Sequence, residues 1–492
     1  MTDYLLHPDL VTEICCDTRA IETHPIFHTA SVRRDGVWIY MGSIPEILNS
    51  VADRLGDLQA ARKQIQILDQ RVNWLSVLAQ DLELLVALDG FDAESGQLLA
   101  RLTPNAEVLR DAQSYVAERG QGSIPFIDLA FQQRRVRSEI ESGLHGVLSH
   151  GRYIGGPEIT ELEQEMASYV GVRHAFAVSN GTDALLVALL AADVKPGDEV
   201  ITSPFTFAAT GEMIHLLGAK PVYVDIDPQT YNLQPDLIEA AITDKTKAII
   251  PVGIFGQCAD MDPINLLAGE KGIVVIEDAA QSFGATYKGR RSGAVSDIGC
   301  TSFFPSKPLG GYGDSGACFT NSDSLAEAIF QIRDHGQSGR YQHTRIGING
   351  RMSSFQASVL LAKLSIFPDE VQLRQQVAER YTRLLNEANV DGEALVCPHI
   401  ADYNTSVYAQ YSILVQNRDQ FQAAMSELGI PTAVHYPVPL NHQPAMQDPD
   451  CRVPISEEVA NRVVSLPMHP YMNEDEQSLV VDSVLSSIIS PS

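Results

Sequence analysis

Along most of this chain, short apolar runs bounded by turn residues recur between longer segments whose apolar residues fall at helical spacing. The runs Ala175–Val178, Glu199–Thr202, Pro221–Val224, Ala248–Val252 and Ile273–Ile276 predict strands, and Asp183–Ala192, Ala208–Leu217, Asp236–Ala241 and Pro263–Gly272 predict the helices between them. Apolar strands alternating with helices predict an α/β fold, with a mainly parallel central sheet covered by helices on both faces. Ligands bind such sheets at the carboxyl ends of the strands. Ahead of this unit, Arg134–His150 and Glu158–Val170 read as helices joined by the loop Gly151–Pro157. After it, a long helix from Ser353 to Ala388, a strand at Tyr411–Val415 and helices at Arg418–Leu428 and Glu457–Val464 predict a smaller α/β lobe beginning at about Gln372.

Residues 1–122 follow another pattern. Asp35-Gly36 lies between Val32 and Tyr40 and predicts a β-hairpin. From Pro45 to Leu88 apolar residues recur at steps of three and four, which predicts an amphipathic helix pair or a coiled-coil seam. Ala117–Ser123 contains two glycines among polar residues and reads as a linker. The expected organisation is therefore a mainly helical extension at 1–122, a large domain at 123–371 and a small C-terminal domain at 372–492.

Composition narrows the function classes. The 492 residues are 45% hydrophobic and 20% charged, which is ordinary for a globular protein long enough for two or three domains. A formal net charge of −27 argues against a nucleic-acid partner, because phosphate-backbone binding needs clustered Lys and Arg. Seven scattered cysteines lack metal-ligand spacing and point to reduced thiols in the cytoplasm, with no metal site expected. No run approaches the roughly 18 apolar residues of a membrane span, and Met1–Leu5 does not begin a secretion signal, so no membrane partner is expected.

Four stretches carry candidate chemistry. Lys307 stands between the hydroxyl residues Ser302 and Ser306 and the pair Gly310-Gly311, as a Schiff-base nucleophile beside a phosphate site would, although a solvated loop lysine has the same local look. Ser179-Asn180-Gly181-Thr182-Asp183 follows a predicted strand and opens a helix, where free N–H groups attract phosphate or a side chain merely caps the helix. Glu277-Asp278 ends an apolar strand, where a buried carboxylate needs a partner: a protonated pyridine nitrogen, a magnesium ion or a helix N-terminus. Phe207 follows another strand and either stacks on a flat ring or joins the core. Taken together, these stretches point to pyridoxal 5′-phosphate (PLP).

Five motifs in order, Ser179–Leu185, Pro204–Thr210, Glu277–Ser282, Ser302–Lys307 and Gly347–Met352, make residues 124 to about 490 resemble the DegT/StrS family of PLP-dependent sugar aminotransferases of fold type I. The resemblance implies that Lys307 forms the Schiff base and carries the proton, that Asp278 pairs with the pyridine nitrogen, and that Gln281 lies near the ring hydroxyl. It also implies that Gly181, Thr182 and Ser302 hold the phosphate and that Phe207 stacks on the ring. Asn349 would complete the phosphate site of a neighbouring subunit, which makes the protein a homodimer with shared active sites. Arg351, His435, Tyr436 and Tyr153 would border the substrate. Dehydratases of the family carry histidine where this chain has Lys307, so the resemblance favours amino transfer, with glutamate as donor, to a keto group at C3 of a nucleotide-linked sugar. Gly253 and Ser315 depart from the usual pattern and are expected to bear on sugar preference. The alternatives are a non-catalytic regulatory or scaffold protein and a PLP-dependent dehydratase.

Overall fold

In a computed structural model, the described residues are 124–388 and 394–489, together with three short strands near the N-terminus. Backbone contacts divide the chain into two units, Met1–Ser123 and Ile124–Ser492.

In the first unit, Val37–Tyr40 pairs in parallel with both Tyr4–Leu6 and Asn73–Leu75. Both described partners of Val37–Tyr40 are thus distant in sequence, whereas the Asp35-Gly36 hairpin requires an antiparallel neighbour. The other arm of that hairpin, Val32–Arg34, lies outside the described residues. Asn73–Leu75 is a strand inside the expected helical stretch, the rest of which also lies outside the described residues. Pairing between distant segments overrode the local helical spacing there.

The second unit is built on a seven-stranded sheet. Its order is His174–Val178, Gly316–Thr320, Ile298–Ser302, Val274–Asp278, Thr246–Ile250, Glu199–Thr202 and Lys220–Tyr223. Gly316–Thr320 runs antiparallel to both neighbours, and the remaining pairs are parallel. This is the expected fold class. Helix Gly181–Ala191 is apolar nearly all round, and Ala184 through Leu189 are all buried beneath the sheet. On the other face Phe283, Phe303, Phe319 and Phe367 pack together around the long helix Ser354–Glu387.

That helix runs 34 residues, holds Pro368 inside it and carries the chain into the small lobe. Its C-terminal half packs on an antiparallel sheet of Leu395–Val396, Tyr411–Val415 and Val463–Leu466. Position 371 falls within the helix. Two expected helices differ in form. Arg134–His150 is two helices, Leu129–Arg135 and Arg137–His150, broken at Val136, whose side chain is buried with Ile140 and Val359. The expected helix Glu457–Val464 is Pro454–Arg462, and Val463 and Val464 begin a strand because Tyr411–Val415 offers them a ladder.

No helix among the described residues is long and apolar enough to cross a membrane. Cys258, Cys300, Cys318, Cys397 and Cys451 are free thiols.

Candidate active site

The site forms where the carboxyl ends of the central strands meet a helix N-terminus. Val178 and Ser302 both pair with Gly316, so the ends of their strands flank the start of the strand Gly316–Thr320. The chain turns at Asn180, and helix Gly181–Ala191 starts directly over that edge. The approach is tight: a Cβ on Gly181 would lie 2.5 Å from Ser302 Cβ, and one on Gly316 would lie 2.5 Å from the Asn180 carbonyl carbon. Asn180 Oδ1 caps the helix by accepting from Asp183 N–H at 2.7 Å, and the Ser179 hydroxyl bonds the Asp183 carboxylate. The earlier N–H groups, those of Gly181 and Thr182, are left without intrahelical acceptors by helix geometry. Ser302 Oγ accepts from Phe304 N–H at 3.2 Å and keeps its own proton to donate. Two free N–H groups, a hydroxyl and the positive end of a helix dipole make an anion cradle.

Asp278 ends the strand Val274–Asp278 and is only 6% exposed. Its carboxylate accepts from Thr210 Oγ1 at 2.9 Å and from Ala280 N–H at 3.2 Å. Burial pushes its pKa up, while Thr210, Ala280 and the charge of Lys307 pull it back. The Lys307 ammonium is the charge that reaches it, and burial drives the lysine below its ordinary value against the attraction of Asp278. A buried carboxylate bonded only by a hydroxyl and one N–H fits a cation placed beside it, which is what a protonated pyridine nitrogen supplies.

The remaining walls converge on this pair. Gln281 Nε2 donates to Tyr436 Oη at 3.1 Å, and Gln281 Oε1 accepts from Phe255 N–H at 2.9 Å. Burial first, and then the Asp278 charge, hold the Tyr436 phenol above its usual value. Phe207 is 56% exposed, with its ring 5.9 Å from that of Tyr436. His435 Nδ1 shares a proton with Ser465 Oγ at 3.1 Å, and burial, followed by the Lys307 charge, pushes the imidazole down to about 4. Phosphate cradle, buried carboxylate, amine and exposed ring fit PLP, which Gly181, Thr182, Ser302, Asp278, Gln281, Phe207 and Lys307 would hold.

Three expected residues make their contacts with other side chains than these. Arg351 pairs with the Asp334 carboxylate and donates to Asn349 Oδ1 at 2.7 Å, so both side chains are engaged with each other beside the Ser179 turn. Tyr153 is 49% exposed and stacks on Phe355 at 5.6 Å. Two site residues were not anticipated. Thr210 lies within the quoted Pro204–Thr210 motif, three residues past Phe207, and was legible as a helix-face neighbour of that ring. Ser465 reaches His435 across the small-lobe sheet, and nothing local marks it. Gly253 is a packing residue, since a Cβ there would lie 2.1 Å from Ser282 Oγ.

Comparison with known proteins places this geometry. The chain is 56% identical over 350 residues, 71% of its own length and 96% of its counterpart's, to the UDP-2-acetamido-2-deoxy-3-oxo-D-glucuronate aminotransferase of Pseudomonas aeruginosa. It is 43% identical over 365 residues, 74% of this chain and 98% of the relative, to a pleiotropic regulatory protein of Geobacillus stearothermophilus. The crystal structure of S. venezuelae DesV in complex with a ketimine intermediate superposes with a TM-score of 0.72 at 35% identity, covering 75% of this chain and 100% of that one. The profile of the DegT/DnrJ/EryC1/StrS aminotransferase family matches residues 134–485, the stretch that builds the sheet, the cradle and the Lys307–Asp278 pair, and the chain belongs to that family of PLP-dependent aminotransferases.

Proposed function

We propose that this aminotransferase moves an amino group from glutamate to the C3 keto group of a nucleotide-linked sugar, with Lys307 as its proton carrier. The observation that carries the reading is the parallel pairing that sets the strand Ile298–Ser302, which leads into Lys307, beside the strand ending at the buried Asp278, in a chain 56% identical to an aminotransferase named for a 3-oxo nucleotide sugar. PLP, when bound, supplies an electron sink for the carbon that loses its proton. Everything else falls to the chain. Asp278 keeps a negative charge against the ring nitrogen, and Gly181, Thr182 and Ser302 anchor the phosphate. Phe207 fixes the ring plane and Gln281 steadies Tyr436. Burial lowers the proton affinity of the Lys307 amine, which readies it to take a proton from one carbon and return it to another.

His435, neutral and tied to Ser465, borders the substrate together with Tyr436, Tyr153 and Arg351. Asn349 belongs to the phosphate site of a second copy, so the working unit is a homodimer. The free thiols support a reducing, cytoplasmic setting.

The test is product analysis by mass spectrometry with PLP, glutamate and a UDP-linked 3-keto sugar. A 3-amino sugar and 2-oxoglutarate are expected, and Lys307→Ala is expected to lower turnover at least about 100-fold. Absence of turnover by the intact, PLP-loaded chain across a panel of keto-sugar nucleotides would overturn it. A regulatory reading rests on the name of the Geobacillus relative alone; it expects PLP binding without turnover, which the same assay separates.

A further inference from the structure

Beneath the Lys307 loop, one face of the long helix Ser354–Glu387 carries two polar side chains that the chemistry above leaves unused. Gln356 and Lys363 are seven residues apart, close to two full turns, and so project from the same side. Both reach the turn that follows Lys307. Lys363 Nζ donates to the Gly310 carbonyl at 2.6 Å and lies 4.8 Å from the centroid of the Tyr312 ring. Gln356 Oε1 accepts from Tyr312 N–H at 2.9 Å.

The turn is in turn locked to the segment that bears Lys307. Gly311 N–H donates to the Phe303 carbonyl at 2.7 Å, and Lys307 N–H donates to the Phe304 carbonyl at 2.8 Å. A Cβ on Gly310 would lie 2.3 Å from the Pro305 carbonyl oxygen, and one on Gly313 would lie 2.8 Å from Gln356 Nε2. Helix, glycine turn and the 303–307 segment therefore have little room to slide against one another.

Lys363 is 1% exposed, and burial pushes its ammonium down to about 8, against the pull of Glu370. Burying an ammonium is costly, and an apolar side chain of similar length commonly serves stability as well or better. Stability therefore gives no reason for a lysine here. Its acceptor, the Gly310 carbonyl, does.

We propose that Lys363, with Gln356, is a positioning residue for Lys307: the two side chains clamp the Gly310–Tyr312 turn and so set where the Lys307 amine rests relative to Asp278. The effect travels through the backbone, from the Gly310 carbonyl that Lys363 holds, through Gly311 N–H to the Phe303 carbonyl, and on to the Phe304 carbonyl that accepts from Lys307 N–H. This rests on the reading of Lys307 as the PLP-bearing lysine.

The pair Lys363→Met and Lys363→Gln tests it, because methionine removes the donor while glutamine keeps an N–H within reach of Gly310. In full-length Lys363→Met, folded by circular dichroism, kcat is expected to fall about 10- to 100-fold with KM for the keto sugar unchanged. Capture of added PLP on Lys307 by the apo-protein, trapped with borohydride and read by peptide mass, is expected to slow at least about tenfold. Lys363→Gln is expected to recover most of both, and Gln356→Ala to reproduce the methionine variant in weaker form. Wild-type kcat and capture in Lys363→Met would overturn the proposal, as would a glutamine variant no better than the methionine one, or kcat and capture falling only in step with the folded fraction. Failure of the wild-type chain to capture PLP at Lys307 would instead sink the reading beneath it.

Discussion

At the scale of single residues, the site sets a half-buried amine, Lys307, against a buried carboxylate, Asp278, each shifted by desolvation and partly rescued by the other. Asp278 has one side-chain donor, Thr210, and losing it leaves a buried carboxylate short of a partner. Thr210→Val is therefore expected to weaken PLP binding by about 1–3 kcal/mol, roughly 5- to 150-fold in Kd, as measured by fluorescence titration of the apo-protein. Lys307, Asp278 and Phe207 were legible because each sits in a short motif at a strand end, where a local reading suffices. Asn349 and Arg351 were legible as a motif as well, but their mutual hydrogen bond was not, because a motif does not say which of its own members a side chain will bind.

At the scale of elements, the period of two along Val274–Asp278 sends neighbouring carboxylates to different surroundings. Asp278 faces the site, whereas Glu277 accepts from Ser292 Oγ at 2.7 Å and from Gly293 N–H at 2.8 Å inside the protein. Burial pushes Glu277 up to about 7, with Ser292 and Gly293 opposing. The folded state then holds this proton more tightly than the unfolded chain, whose carboxyl titrates near 4.5. Below that pH both states are protonated and the group costs nothing; between the two values the unfolded chain releases its proton first. Stability should therefore fall as pH rises through this window, by roughly 3 kcal/mol from this group. Denaturant titrations at a series of pH values check it, and Glu277→Gln is expected to remove that slope.

The helix N-terminus makes a second prediction at this scale. Gly181→Ala places a Cβ against Ser302 and should push the helix off the cradle. PLP affinity is expected to fall at least about tenfold, with binding of pyridoxal, which lacks the phosphate, nearly unchanged, because charge-assisted hydrogen bonds to an anion contribute about 1.5–3 kcal/mol each.

At the scale of the whole molecule, the proposed sharing of active sites predicts complementation. Lys307→Ala and Asn349→Ala chains, each weak alone, are expected to regain activity when unfolded together and refolded as hybrids, since one of the two sites in a hybrid is then intact. Activity assays before and after mixing decide it, and no gain on mixing would place Asn349 in its own chain's site. The long helix Ser354–Glu387 ties these scales together. It meets the Lys307 turn through Gln356 and Lys363, and its other half joins the small-lobe core through Tyr381.

The sequence by itself determined the α/β class and the strand-end placement of Asp278, because strand periodicity, turn residues and motif order are local properties. Tertiary structure decided what local patterns do not encode. Val463 and Val464 became a strand because a partner strand lay beside them. Asn73–Leu75 paired in parallel inside a helical-looking stretch for the same reason. Thr210 and Ser465 became neighbours of the site through packing between elements. Lys363 reads in the sequence as an ordinary polar position on a helix. Only the fold turns it inward onto the Gly310 carbonyl, 53 residues away in the chain, beneath the lysine proposed to carry the chemistry.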